Sequence, residues 1–280
     1  MQDLFTNPAL QSSIAPLVIS LIVALMLRKA GTLWQGLAIM SGLLIAVSLI
    51  TGLNFLPLTS TRKIILSSFV VPFTALWFNR FSCPPYCRAA IFAGIMACLA
   101  VWIVWPVLGR QEVLDAWIMG ARVAVFAAAV TGATMWFTRN DAALEGGVLL
   151  ALGIGTGAST LIAASALYGQ LAFAVTAAMG GLLLAVLFRS GKDITTSSLG
   201  QLSVFAAIVP LGLIGGAATV YAKLPSTALF FLVLVPVLAT LPVARKRNLW
   251  TRVTLSTLLG LLVVVPAIWI TWNSAGPIIY

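Results

Sequence analysis

The chain has 280 residues, of which 61% are hydrophobic and only 8% are charged, and its mean hydropathy is +1.10. About a quarter of the residues of a soluble domain carry a charge, so this composition excludes a soluble protein and indicates a polytopic membrane protein. The net charge of +10 fits that class, because Lys and Arg collect in the cytoplasmic loops of membrane proteins. We therefore predict contact with a lipid bilayer and no binding of nucleic acid.

Apolar segments long enough to cross a bilayer follow one another along the chain. A transmembrane helix needs about 20 apolar residues, and only helices or closed barrels can span the hydrocarbon layer. We predict an all-α fold of about ten transmembrane helices, with residues 1–280 forming one integral membrane domain. The predicted helices are residues 14–27, 34–55, 64–78, 89–108, 117–137, 147–168, 171–188, 202–222, 226–243 and 253–272.

Basic residues in alternate loops predict the orientation of these helices. With the N-terminus outside, the cytoplasmic loops hold eleven Lys and Arg residues and the outer loops hold four. This count favours an N-out, C-out, multi-pass protein. Its helical spans, without an evident targeting segment, indicate the inner membrane of a bacterium. Arg62 and Lys63 are two of the four outer residues, so the loop before the third helix fits the orientation least well.

A short internal similarity divides the ten predicted helices into two sets of five. The third helix contains SSFVVP, ending at Pro72, and the eighth contains SVFAAIVP, ending at Pro210. Five helices per set would place the second set in the membrane with the opposite orientation, as in transporters with inverted repeats. We predict inverted halves 1–140 and 141–280, with Pro72 and Pro210 as helix hinges. A match this short can also arise by chance, and the prolines would then only bend their helices for packing.

The sixth predicted helix is rich in small and hydroxyl residues, with the run GIGTGAST at residues 153–160. Gly153 and Gly157 have the small-xxx-small spacing that lets two helix backbones approach closely, and one interpretation is tight helix packing. The other is that the glycines weaken a helix beside a cavity, where Thr156, Ser159 and Thr160 bind a substrate or an ion.

Arg122 is the one charged residue that we place within a predicted helix. It follows Trp117 by five residues, and Asp115 lies about two turns earlier on the same helix face. A guanidinium at this depth can extend to the interface or pair with Asp115. The alternative is that Arg122 binds an anionic ligand, a lipid headgroup or a partner subunit.

The sequence offers few groups for catalysis or metal binding. It contains no histidine, and Cys83 and Cys87 have no nearby histidine or carboxylate that would complete a zinc site. We place all six acidic residues in loops or in the N-terminal tail, which leaves no carboxylate for a proton relay inside the membrane. We therefore expect no metal, no cofactor and no enzyme activity. The six acids are Asp3, Glu112, Asp115, Asp141, Glu145 and Asp193.

Two functions from different classes remain. The first is a small secondary transporter or channel for a small molecule or ion, with a site near the bilayer midplane. The second is a non-catalytic structural or assembly subunit of a larger membrane complex, which would contact other membrane subunits through its Gly-rich helix faces. A mid-membrane cavity lined by the sixth helix would favour transport, and a partner in fixed stoichiometry would favour the subunit.

Overall fold

The computed structural model describes residues 7–29, 31–53, 56–78, 84–138, 141–189, 199–241 and 248–275. These residues form ten α-helices, with no β-strand among them. A π-helical turn, Leu10–Ile14, precedes the first helix, and 3-10 turns at Leu27–Lys29 and Thr32–Trp34 lead to the second. The helices are α1 (Ala15–Met26), α2 (Gly36–Ile50), α3 (Ser60–Phe78), α4 (Pro85–Leu108), α5 (Val113–Thr138), α6 (Ala142–Ile162), α7 (Ala166–Arg189), α8 (Gln201–Tyr221), α9 (Ser226–Leu238) and α10 (Leu249–Ala275).

Eight helical segments of the described chain are long and apolar enough to cross a membrane. The all-helical class is confirmed, and the segments are those of a helical membrane protein; the count of ten spans is not confirmed. Two of the ten helices are not among these eight segments. The helix α9 is apolar but has only 13 residues, and α3 has Arg62 and Lys63 in its first turn. The eight segments are Leu10–Lys29, Thr32–Ile50, Pro85–Leu108, Val113–Thr138, Ala142–Ile162, Ala166–Phe188, Gln201–Tyr221 and Leu249–Ala275.

Three predicted helix ends were wrong, and one of them is the end of the ninth predicted helix, 226–243, which ends in the structure at Leu238. The sixth predicted helix, 147–168, ends in the structure at Ile162, because Ala164 adopts a φ of 67° and α7 begins two residues later. The second, 34–55, ends at Ile50, two residues before Gly52 with a φ of 72°. A residue with positive φ typically ends a helix, but apolar residues continue past both turns, so hydropathy does not mark them.

The centre of the bundle is α8, in which every residue from Leu202 to Ala218 is buried. A helix that is apolar on all sides is expected in the interior, and α8 packs against α2, α3, α4, α5, α6 and α7. The outward faces of α1, α4, α5 and α10 carry exposed large apolar side chains. In a membrane these faces would contact lipid.

The two predicted halves pack differently. Some neighbouring helices pack in the same way in both halves: α1 packs on α2 as α6 does on α7, and α4 packs on α5 as α9 does on α10. The first and last helices of each half differ. In the second half α6 packs along α10, whereas in the first half α1 packs along α7 and not along α5. Pro72 in α3 and Pro210 in α8 are both buried inside continuous helices that pack against each other. Inverted halves are not confirmed, and the hinge role of the two prolines stays a prediction.

Candidate functional site

The glycines of α6 lie against neighbouring helices of the same chain. A Cβ atom added to Gly153 would overlap Thr176 of α7, and one added to Gly157 would lie 2.9 Å from the ring of Phe173 in the same helix. On another side of α6, a Cβ on Gly155 would lie 2.7 Å from a side chain of α10 and 2.8 Å from one of α9. The GIGTGAST run is therefore a close-packing segment, as the first interpretation predicts.

The glycines of α8 are also covered from within the chain. A Cβ on Gly215 would lie 2.6 Å from the ring of Phe126, and one on Gly216 would lie 3.0 Å from Val123, both in α5. Side chains of this chain thus already contact the glycine faces of α6 and α8. The predicted contact with other membrane subunits through Gly-rich helix faces stays a prediction.

Thr156, Ser159 and Thr160 lie together in the second half of α6, and all three are completely buried. The Thr160 hydroxyl donates to the carbonyl oxygen of Thr156 at 2.7 Å. Among the described residues, Thr156 Oγ1 and Ser159 Oγ have no hydrogen-bond partner. The structure thus brings these three predicted site residues together, and it leaves two of their hydroxyl groups unpaired.

Other buried hydroxyls in the helices behave differently. Ser and Thr in membrane helices usually donate to a carbonyl of the preceding turn, and six further buried side chains here do so at 2.7 to 2.8 Å. Leaving a buried hydroxyl unpaired costs about 1–3 kcal/mol. Among the hydroxyls that the structure describes, Thr156 and Ser159 are therefore exceptions, together with Thr131 of α5. The six paired residues are Ser68, Thr134, Thr138, Thr176, Ser203 and Thr271.

The two unpaired hydroxyls of α6 belong to one stripe of the helix. Glu145, Leu149, Leu152, Thr156 and Ser159 are spaced by four and three residues in alternation, which keeps their side chains on one helix face. All five are buried. The stripe begins with a carboxylate, continues through two apolar side chains and ends with the two hydroxyls.

The start of this stripe lies in a polar cluster at one end of the bundle. The Glu145 side chain accepts a hydrogen bond of 2.8 Å from the backbone N–H of Leu199, just before α8. Asp141 caps α6 by accepting from the N–H of Ala143 at 3.0 Å, and it forms an ion pair with Arg252 of α10. We call this end of the bundle the Arg252 end.

This cluster corrects the prediction that all acidic residues lie in loops or in the N-terminal tail. Glu145 is inside the first turn of α6 and is only 2% exposed. The predicted helix began at residue 147, two residues after Glu145, because a charged residue lowers the hydropathy by which the helix was predicted. A carboxylate in the first turn of a helix is stabilised by the free N–H groups and the helix dipole. The helix can therefore include Glu145 and begin before it, at Ala142.

A second polar cluster lies at the other end of α8, and the sequence analysis did not identify it. The ammonium group of Lys63 donates to the carbonyl oxygen of Trp102 at 3.0 Å and lies 4.6 Å from the centre of the Trp102 ring. Pro106 lies four residues after Trp102 in α4. Because proline has no N–H, this carbonyl lacks its usual partner in the helix, and Lys63 provides the missing donor.

Hydroxyl groups surround this contact. Ser60 Oγ and Tyr221 Oη are 2.6 Å apart, and each lies 3.2 Å from the carbonyl oxygen of Ile103, to which each can donate. The side chain of Tyr168 lies near those of Thr61 and Tyr221. We call Ser60, Thr61, Lys63, Tyr168 and Tyr221 the Lys63 cluster, and this end of the bundle the Lys63 end. The sequence alone indicates that Pro106 leaves the Trp102 carbonyl without its usual partner, but it does not indicate that Lys63 is the donor that binds this carbonyl.

Arg122 differs from the three hydroxyl residues of α6 in its exposure. Arg122 is exposed on α5, on the same side as the exposed residues Ile118 and Val125. Among the described residues, no ion pair joins it to Asp115, which is also exposed. Thr156 and Ser159, in contrast, are completely buried. The predicted role of Arg122 in binding stays a prediction.

Two adjoining cavities lie in a groove between α4 and α5. Their volumes are about 500 and 410 Å³, and Val101, Trp105 and Ala124 line both. Trp102 also lines the larger one. None of the residues that line these two cavities belongs to α6, so neither is the mid-membrane cavity that the transport hypothesis predicts.

No group of three potential metal ligands from His, Cys, Asp or Glu occurs within the described ranges. Cys87 and Cys98 are free thiols, and Cys83 lies outside the described residues.

No known protein family matches the chain, and no curated protein is significantly similar to it.

Proposed function

We propose that this integral membrane protein is a small secondary transporter or channel, and that Thr156 and Ser159 bind the solute it carries. The observation that carries the proposal is the pair of buried, unpaired hydroxyls on one stripe of α6. A polar group without a partner in the hydrocarbon layer is costly, and a passing polar solute would supply the missing hydrogen bonds.

The depth of the hydroxyls supports a site inside the membrane. At 1.5 Å per residue, Thr156 lies about 21 Å along α6 from its first residue, Ala142. This is about 9 Å from the last residue, Ile162, in a helix that is about as long as the hydrocarbon core is thick. The site is therefore within the hydrocarbon layer and nearer to the Lys63 end than to the Arg252 end.

The chemistry of the stripe favours an uncharged polar solute. From Gly146 to Ile162, α6 has no charged residue, while a hydroxyl can both donate and accept. Leu149 and Leu152 separate the hydroxyls from Glu145, and both are buried. Apolar constrictions close pores by excluding water, so these two leucines would close the site from the Arg252 end in this conformation.

An N-out, C-out topology in a bacterial inner membrane is part of this proposal. The Lys63 end would then face outside, in spite of the two basic residues of α3. Lys63 is buried and bonded to Trp102, so it differs from the free loop charges that the positive-inside rule counts. Arg62 donates to the carbonyl oxygen of Pro57 at 2.6 Å, which gives it a local structural role as well.

The test is solute-driven swelling of vesicles that contain the purified protein, with glycerol and urea as probes. We expect the double variant Thr156→Val/Ser159→Ala to slow the swelling rate about tenfold, since a lost hydrogen bond of about 1.4 kcal/mol in the barrier corresponds to that factor. Thr138→Val is the matched control, because the Thr138 hydroxyl bonds to its own helix. Equal rates for wild type and the double variant would contradict the proposal.

A structural or assembly subunit is the second candidate function, and Arg122 favours it. Charged side chains within membrane helices usually pair with one another or face a polar interior, whereas Arg122 is exposed on α5. A carboxylate of another membrane subunit could pair with it there. If this function is correct, affinity purification at native expression level should recover a partner in fixed stoichiometry, and Arg122→Gln should release it.

A further inference from the structure

We propose that the Lys63 end contains a binding site for a phosphate group, formed by the ammonium of Lys63 and the first turn of α3. The phosphate would be carried by an anionic phospholipid headgroup or by a soluble phosphate. This site is separate from the hydroxyls of α6, and it does not depend on the transport proposal.

The first argument is the uncompensated charge of Lys63. The residue is only 9% exposed, and its ammonium has three protons, of which the bond to the Trp102 carbonyl uses one. Within the described part of the chain, no carboxylate forms an ion pair with it. The carbonyl and the indole ring are neutral, and a buried ammonium without a counter-charge costs several kcal/mol. An anion beside Lys63 would remove most of that cost.

The second argument is the polarity of α3. Its first turn contains Arg62 and Lys63 but no acidic residue, although the start of a helix carries partial positive charge. The N–H groups of Ser60 and Thr61 have no carbonyl partner within the helix. A phosphate bound here would accept from these N–H groups and from the ammonium, as anions do at other helix N-termini.

The third argument is the level of the site in the membrane. Trp105 of α4 is 65% exposed and lies one turn beyond Trp102, and exposed tryptophans of membrane proteins concentrate at the headgroup layer. Phosphates of lipids are the most abundant anions at that level. Trp102 also lines the apolar groove between α4 and α5, so a lipid with its phosphate at Lys63 could place an acyl chain in this groove.

The test compares two sources of phosphate on the full-length protein. In detergent, the thermal unfolding midpoint is followed during titration with inorganic phosphate. In vesicles, the same midpoint is compared between phosphatidylcholine alone and phosphatidylcholine mixed with phosphatidylglycerol. A rise with inorganic phosphate indicates a soluble ligand, and a rise only with phosphatidylglycerol indicates a lipid headgroup.

Three variants identify the residues responsible. Lys63→Met should weaken phosphate binding at least tenfold. Lys223→Met is the matched control, because Lys223 is an exposed lysine two residues after the end of α8 at the same end of the bundle, and it should bind as wild type does. Lys63→Met also leaves the Trp102 carbonyl unpaired, which could unfold the protein. The double variant Lys63→Met/Pro106→Ala avoids this defect, because an alanine at position 106 has an N–H that can bond to the Trp102 carbonyl. It serves as the folded variant without the ammonium.

The outcomes are distinct. The proposal requires that phosphate or phosphatidylglycerol stabilises wild type and Lys223→Met, and that neither stabilises Lys63→Met/Pro106→Ala. It is overturned if no phosphate source raises the midpoint of the wild type. It is equally overturned if the double variant responds as strongly as the wild type.

Discussion

Lys63 of α3 donates a hydrogen bond of 3.0 Å to the carbonyl oxygen of Trp102 in α4, the acceptor that Pro106 leaves without a partner in its own helix. The bond joins two helices, and the same lysine lies over the Trp102 ring. In a membrane, a freed carbonyl must find a donor from elsewhere in the protein. The helix-breaking proline and the buried lysine are thus two parts of one arrangement.

This relationship predicts non-additive effects of mutation. Lys63→Met should lower the free energy of unfolding by about 1–3 kcal/mol, because it leaves a buried carbonyl unpaired. In a Pro106→Ala background the same mutation should cost less, since the introduced alanine would supply an N–H to the Trp102 carbonyl. Unfolding titrations of the four proteins in mixed micelles give the coupling energy, which we expect to be about 0.5–3 kcal/mol. Additive effects would show that the proline and the lysine act independently.

The ion pair at the Arg252 end should make a larger contribution. The side chain of Arg252 is 6% exposed and that of Asp141 is 28% exposed, and removing one partner of a buried pair costs about 3 kcal/mol. We expect this loss for Arg252→Gln in the same titration. Asp141→Ala should lose about 1 kcal/mol more than Asp141→Asn, because Ala cannot cap α6. Arg28→Gln, at an exposed arginine, is the control. A similar cost for Arg252→Gln and Arg28→Gln would contradict the assignment.

The packing role of Gly153 can be separated from general effects of glycine. Gly153→Ala should destabilise the protein by about 1–3 kcal/mol through overpacking, because the new methyl group would overlap Thr176. Gly180→Ala, where no atom lies within 4 Å of the added Cβ, should stabilise α7 by about 0.5–1 kcal/mol. Thr176→Ala should partly restore Gly153→Ala. If both glycine variants shifted the unfolding midpoint in the same direction, α6 and α7 would not be as close as described.

The helices were predictable from sequence because the bilayer requires long apolar segments, and the regions of all ten predicted helices are helical in the structure. A break between α6 and α7 was predicted, but at residues 169–170, and its true position was not predictable. The break contains Ala163, Ala164 and Ser165, and Ala164 takes a positive φ without being a glycine. Burial of Glu145 was missed for a related reason, since the local sequence cannot show that the N–H of Leu199 lies beside it.

The candidate site was predictable only in part. The run GIGTGAST indicated both close packing and a group of hydroxyls, and both are present. Which hydroxyls are free could not be predicted, because Thr156 and Thr160 are the same residue type one turn apart, and only the Thr160 hydroxyl bonds to the backbone. That difference depends on side-chain rotamers and neighbours from distant parts of the chain.

Accessibility of the hydroxyl stripe tests the central claim most directly, and it requires no knowledge of the solute. In a protein with its native cysteines replaced by serine, Thr156→Cys is treated with a charged, membrane-impermeant thiol reagent. Ala158→Cys is the matched control, since it lies two residues away and about 200° around the helix. Gln111→Cys, in the exposed turn after α4, shows that the reagent is active.

We predict that Thr156→Cys is modified, because a transport site must open to water during its cycle, and that Ala158→Cys is not. If Gln111→Cys reacts while Thr156→Cys remains as unreactive as Ala158→Cys, the α6 hydroxyls are not a solute site.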